Sequence, residues 1–172
     1  MAYSFPGSSQ VNSIAEAGLA SVDDKTAVYE LGTVVTDSYG NRFAYFQVVD
    51  GPTTAGDGTG CSKGACMLAG AATWGIVSCD YSGGSALGTK VLGIALGDVT
   101  TDYHGWFQIS GFCDYVRSDG SVAAGEYMVA DTAGGTDEEA DTMADGEEEQ
   151  VFGMSLVADG AHASTAVILN CW

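Results

Sequence analysis

The stretch Val91–Phe112, VLGIALGDVTTDYHGWFQISGF, decides how the chain is read. Two apolar runs, VLGIAL and GWFQISGF, flank a polar break at Asp98–His104. Each run is short, rich in β-branched or aromatic residues, and bounded by Gly or Asp, which predicts strands rather than helices. Gly93 inside the first run and Gly105 ahead of the second predict bulges or a close backbone approach. The two runs read as buried strands of an all-β core, with His104 as a turn histidine beside an exposed Asp102. No side chain in the stretch is arranged as a nucleophile, an acid–base pair or a metal site.

Working outward, Val28–Thr36 and Arg42–Val49 read as strands joined across a hairpin loop at Asp37–Asn41. Ala71–Asp80, Val151–Val157 and Thr165–Trp172 read as further strands. Val122–Ala130 is another, interrupted by Gly125, and Cys113–Arg117 prolongs the second central run to a turn at Ser118–Ser121. About eight to ten strands at regular spacing predict an all-β sandwich or barrel of short antiparallel strands. The 25 Gly against two Pro fit many tight turns. Residues 1–27 lack periodicity and read as an extended N-terminal arm that orders on binding, leaving 28–172 as a single β-rich domain. Residues 131–150, DTAGGTDEEADTMADGEEEQ, carry many carboxylates and no basic residue, which predicts a mobile acidic surface loop.

Five Lys and Arg against 23 Asp and Glu give a net charge of −18. The basic residues (Lys25, Arg42, Lys63, Lys90, Arg117) stand apart in sequence, so no cationic face for nucleic acid or for an anionic membrane is expected. The first residues lack the basic start and apolar segment of a secretion signal, and no run approaches a membrane span. Synthesis in a reducing cytoplasm is the expectation. Cys61, Cys66, Cys79, Cys113 and Cys171 are odd in number, which predicts mostly buried free thiols.

Candidate chemistry is sparse. Cys61 and Cys66 share a Gly-rich loop, but no second Cys or His pair sits at zinc spacing, which leaves free thiols or a Cys61–Cys66 disulfide. Asp137, Asp141 and Asp145 recur every fourth residue without the loop pattern that orients calcium ligands. Asp102, His104 and Ser110 suggest a triad on paper, yet no nucleophile elbow is present and adjacent strand residues face opposite ways. AGDGTG at 55–60 lacks the lysine–serine pair of a phosphate-binding loop. Trp74, Trp106 and Trp172 with Tyr103, Phe107 and Phe112 make either core or an aromatic sugar platform. No enzyme, metal or cofactor is expected.

Several segments, taken together, resemble a family of tailed-bacteriophage capsid decoration (cement) or minor structural proteins. They are MAYSFPGSSQVNSIAE (Met1–Glu16), LGT (Leu31–Thr33), GNRFAYFQ (Gly40–Gln47) and GIALGDVTTDYHGWFQISG (Gly93–Gly111). Tyr103–His104–Gly105–Trp106 carries one histidine more than the family's aromatic strand, and the acidic stretch and cysteine-bearing loop 57–66 are further departures. The resemblance implies a non-enzymatic virion protein that binds the outer surface of the assembled head and stabilises it. It implies the major capsid protein as partner, a homo-oligomer (trimer or dimer), and a capsid-exterior location after synthesis in the host cytoplasm. The arm's residues Tyr3, Phe5, Pro6, Val11 and Ile14 are the expected partner contacts. The alternatives are a tail- or fibre-associated virion subunit and a carbohydrate-binding surface module built around Trp106.

Overall fold

The computed structural model describes residues 10–11, 23–49, 60–69, 75–79, 90–118, 120, 122–130, 140–143, 151–158 and 164–171. They form eleven strands: β1 (Gln10–Val11), β2 (Val34–Asp37), β3 (Arg42–Val48), β4 (Cys66–Ala69), β5 (Ile76–Ser78), β6 (Val91–Ala95), β7 (His104–Arg117), β8 (Tyr127–Ala130), β9 (Ala140–Thr142), β10 (Gly153–Ser155) and β11 (Ser164–Asn170). The described residues include no helix long and apolar enough to cross a membrane.

The expected all-β fold is observed, as a barrel with additional strands. Strands β3, β5, β4, β6 and β7 pair in that order, and β7 pairs back onto β3, closing a five-stranded barrel. Most pairs are antiparallel, but β3–β5 and β1–β2 run parallel. Strand β7, at 14 residues, covers the expected run and its continuation to Arg117 and starts one residue earlier, at His104. Its first half seals the barrel against β3, through Tyr45↔Trp106 and Phe46↔Gly105. Its second half leaves the barrel and pairs with β11, starting a second sheet in the order β7–β11–β10–β8–β9.

Alternation sorts side chains between three apolar clusters, because strand neighbours point to opposite faces. Ala44, Phe46 and Val48 of β3 and Phe107 and Ile109 of β7 fill the barrel with Met67 and Val77. Cys66 and Leu68, flanking Met67 on β4, face the other way, into a core shared with Cys113, Val116, Met128, Phe152, Val167 and Leu169. Phe43, Tyr45 and Trp106 lie on the barrel's outer wall, where Tyr29 and Leu31 cover them.

The hairpin at Asp37–Asn41 is present, and Asp37 closes it. Its Oδ1 accepts from the Tyr39 and Asn41 amides at 2.9 Å each, and its Oδ2 from Asn41 Nδ2 at 2.9 Å. The predicted first strand is shorter than expected, beginning at Val34 rather than Val28. Residues 28–33 instead strap the outer wall, with Tyr29 set edge-on at 5.2 Å to both Tyr45 and Trp106. Gly93 does mark a close approach: a Cβ there would lie 3.1 Å from that of Phe107. The β4–β6 register steps from Met67↔Gly93 to Leu68↔Val91, which places a bulge at Leu92.

Three expectations are corrected. His104 is not a turn residue: it opens β7 and is 7% exposed. Val122–Ala130 is strand only from Tyr127, because the chain turns through Gly125 at φ +87°. Within the acidic stretch, Ala140–Thr142 forms β9 against β8 and Ala140 is buried, since its methyl completes the second core. The rest of that stretch, 131–139 and 144–150, lies outside the described residues.

Candidate functional site

The chemical candidates are dispersed. Cys61 sits in the barrel core and Cys66 in the second core, and both, like Cys79, Cys113 and Cys171, are buried and outside any disulfide. Among the described residues, no three His, Cys, Asp or Glu side chains gather as a metal site. Asp137 and Asp145 lie outside the described residues, and Asp141 is on β9.

His104 is committed to structure. Its backbone exchanges two hydrogen bonds of 2.9 Å with Asp24, and its Nδ1 lies 2.9 Å from the Asp24 carbonyl oxygen. A carbonyl can only accept, so Nδ1 carries the proton. The ring stacks on Tyr45 at 5.9 Å, and the Tyr45 hydroxyl donates to Asp24 Oδ2 at 2.9 Å. Beside them, Asp23 accepts from the Thr100 amide at 2.9 Å and from its hydroxyl at 2.8 Å. These bonds fasten residues 23–33 to the barrel. Ser110 lies six residues along β7, about 20 Å away at the rise of a strand, so the two members of the supposed triad never meet.

Among the described residues the aromatic platform is not assembled either. Trp106 is 1% exposed on the outer wall beneath Tyr29, while Phe107 points into the barrel. Phe112 is half exposed, and Trp74 and Trp172 lie outside the described residues. Of the arm residues, Tyr3, Phe5, Pro6 and Ile14 are also outside them. Val11 lies in β1, where its backbone is in register with Asp37.

What the fold does assemble is a row of exposed apolar side chains. In the second sheet Phe112 of β7 is opposite Ile168 of β11, Ile168 is opposite Met154 of β10, and Met154 is opposite Tyr127 of β8. These four are 50%, 42%, 38% and 54% exposed. At the usual strand spacing the row is about 14 Å long. Their sequence neighbours Cys113, Val167, Leu169 and Met128 face the second core, so the row is the outward half of a one-sided sheet. Leu156, 40% exposed, extends the apolar face by one step, and its amide donates to the Ala166 carbonyl at 2.8 Å.

The turn of Phe112 to the outside has a specific cause. Gly111 has φ +98°, and a Cβ there would lie 2.2 Å from Asn41 Oδ1, so only glycine fits. Asn41 Oδ1 accepts from the Phe112 amide at 3.0 Å, tying β7 to the hairpin where it leaves the barrel. From the other side, buried Gln108 donates through Nε2 to the Phe112 carbonyl at 2.8 Å and accepts from the Tyr115 hydroxyl at 2.8 Å.

At the Tyr127 end the row runs into an open groove of about 280 Å³, lined by Gly125, Glu126, Tyr127, Thr142 and Met143. Met143 stands beside Tyr127, donating its amide to the Tyr127 carbonyl at 2.9 Å. Asp114 and Glu126 are exposed next to the row, and Asp141 lies on the adjoining strand. Arg117 lies at the far end of β7. Sequence reading missed this row. Its trace is present in TAVILN, where Ile168 adds an apolar residue to the side that strict alternation would leave polar.

Compared with known proteins, the chain matches no family model, no curated protein and no solved structure.

Proposed function

We propose that this chain is a non-enzymatic structural subunit of a tailed-phage virion, which docks on the outside of the assembled head and strengthens it. The major capsid protein is its partner, and further copies of itself occupy the neighbouring sites. The observation that carries this reading is the open apolar row on the second sheet. An exposed contiguous apolar patch on a highly charged protein marks an interaction surface, and the row lies across a sheet face that opens at one end into a shallow groove, not in a cleft that would enclose a small substrate. The sequence segments of the phage family supply the kind of partner. The burial of Trp106 favours this reading over the carbohydrate module, which needs that ring at the surface.

Cosedimentation with purified heads that lack the protein tests the proposal. Saturable binding at a fixed ratio to the major capsid protein, with heads that survive higher temperature, is the expected result. A folded protein that leaves heads unbound overturns it, and binding to isolated tails or to glycans would then identify the alternative. The arm adds a sharper expectation. Removing residues 1–22 takes away only the two-residue strand β1 from the sheet and keeps Asp23 and Asp24 and the clasp they make, so the domain should melt within a few degrees of the full chain while head occupancy falls several-fold. Unchanged occupancy would take Tyr3, Phe5, Pro6, Val11 and Ile14 out of the interface.

A further inference from the structure

We propose that the Phe112–Ile168–Met154–Tyr127 row and the groove beside it form the docking face for a protein surface that is apolar at its centre and carries an arginine or lysine where it meets Glu126. The inference deepens the reading above by naming the face and the chemistry of its partner.

The residue types suit a binding face. Tyr, Phe and Met are enriched at the centre of protein interfaces, and three of the four row residues are of these types. The row is held by strand pairing on both sides of Ile168 and Met154, so little order is lost on binding. Charge then selects the occupant. Among the described residues, the charged ones nearest the row are Asp114, Glu126 and Asp141, with Arg117 at the end of β7, within a chain of net charge −18. A second copy seated face to face would set these carboxylates against their own equivalents. A partner with a basic edge meets the opposite sign, which raises the rate of encounter and fixes orientation.

The groove provides a seat for that basic side chain. An arginine or lysine entering it lays its aliphatic stem along Met143 and Tyr127 and brings its cationic head to the Tyr127 ring and the Glu126 carboxylate. Glu126 is already oriented, because its Oε2 accepts from the Ala123 amide at 2.7 Å.

Two synthetic peptides serve as probes: one alternating arginine with isoleucine over six residues, the other alternating arginine with serine. Both carry the same charge, so an unspecific attraction to an acidic protein treats them alike. The isoleucine peptide should bind the full chain at least about tenfold tighter at about 0.15 M salt, with amide NMR shifts centred on Tyr127, Met154 and Ile168. The double variant M154D/I168D makes the chain more acidic while removing the middle of the row. It should weaken the isoleucine peptide about tenfold and leave the serine peptide as tight or tighter. Equal binding of both peptides, or a double variant that binds both more tightly, overturns the proposal. If the double variant does not fold, E126Q decides: the amide still accepts from Ala123, and severalfold weaker binding of the isoleucine peptide is expected, unchanged binding being the contrary result. Sedimentation showing a dimer that M154D/I168D dissolves would give the face to a second copy and also overturn it. Heads separate the two proposals. Heads that bind the full chain and the double variant equally overturn this face alone, whereas heads that bind neither overturn the virion role and leave the face to the peptide result.

Discussion

Trp106→Ala is the perturbation that bears most directly on how the barrel and its strap are joined. The ring is 1% exposed and touches Tyr29 at 5.2 Å and Tyr45 at 5.3 Å, in edge-on or tilted geometry. Truncating a buried Trp to Ala costs about 3–5 kcal/mol through lost transfer energy and the cavity left behind. One feature pulls the value to the lower end. Trp106 Nε1 has no hydrogen-bond partner among the described residues, and an unsatisfied buried donor costs about 1–3 kcal/mol, which the truncation removes. Trp106→Phe removes the same donor but keeps a ring between Tyr29 and Tyr45. Its lost area is worth about 1 kcal/mol, so the two effects nearly cancel and the variant should lie within about 1 kcal/mol of the parent. For a chain of this size, 3–5 kcal/mol lowers the melting temperature by about 6–20 °C. Calorimetry on the two variants checks the contrast. A Trp106→Ala protein melting within about 2 °C of the parent, or a Trp106→Phe protein as damaged as it, would refute the placement of the ring.

Two further predictions concern stability. Gly60 has φ +100° and a Cβ there would lie 1.8 Å from the Val99 carbonyl oxygen, whereas Gly125 has φ +87° and open space around it. Gly125→Ala should therefore cost only the left-handed backbone penalty of about 1–2 kcal/mol, and Gly60→Ala clearly more; equal urea midpoints would contradict the packing at Gly60. Burial raises the Cys113 thiol from 9.0 to about 12 and pushes Cys171 and Tyr115 upward as well. The unfolded chain sheds these protons first, so this contribution to stability is intact below about pH 9 and is lost as pH rises toward about 12. Urea titrations from neutral to alkaline pH should show the decline, shallower in a Cys113→Ala/Tyr115→Phe variant, and an unchanged midpoint at alkaline pH would count against burial of these groups.

The elements legible in the sequence are those whose signal is local. The hairpin at Asp37–Asn41 carries its own closing residue, and Val91–Phe112 contains two strands whose apolar runs need no distant partner to be recognised. What escaped notice depends on registers between remote segments. His104 looked like a turn residue because its partner, Asp24, lies 80 positions away. The bend at Gly111 was invisible because Asn41, 71 residues from Phe112, defines the space it needs. Ile168 sits in a segment apolar on both sides, and Met154 alternates with Phe152 and Leu156, so a linear reading assigns both to burial. Only the pairing of β7 with β11 and of β11 with β10 reveals that one side is open.

Acidity and the apolar row make physical sense together. Strand β7 spends its first half closing the barrel, and after Gly111 it supplies Cys113 and Val116 to the second core and Phe112 to the outside. A sheet face of this kind on a neutral protein invites self-association. Here each encounter between copies brings together two chains of net charge −18, and that repulsion acts over about a Debye length before the apolar surfaces can meet. A basic partner is attracted through the same field. On the proposed docking face, the charge of −18 opposes face-to-face pairing of two copies, so the carboxylates would act on the selectivity of the face while the four apolar residues supply its adhesion.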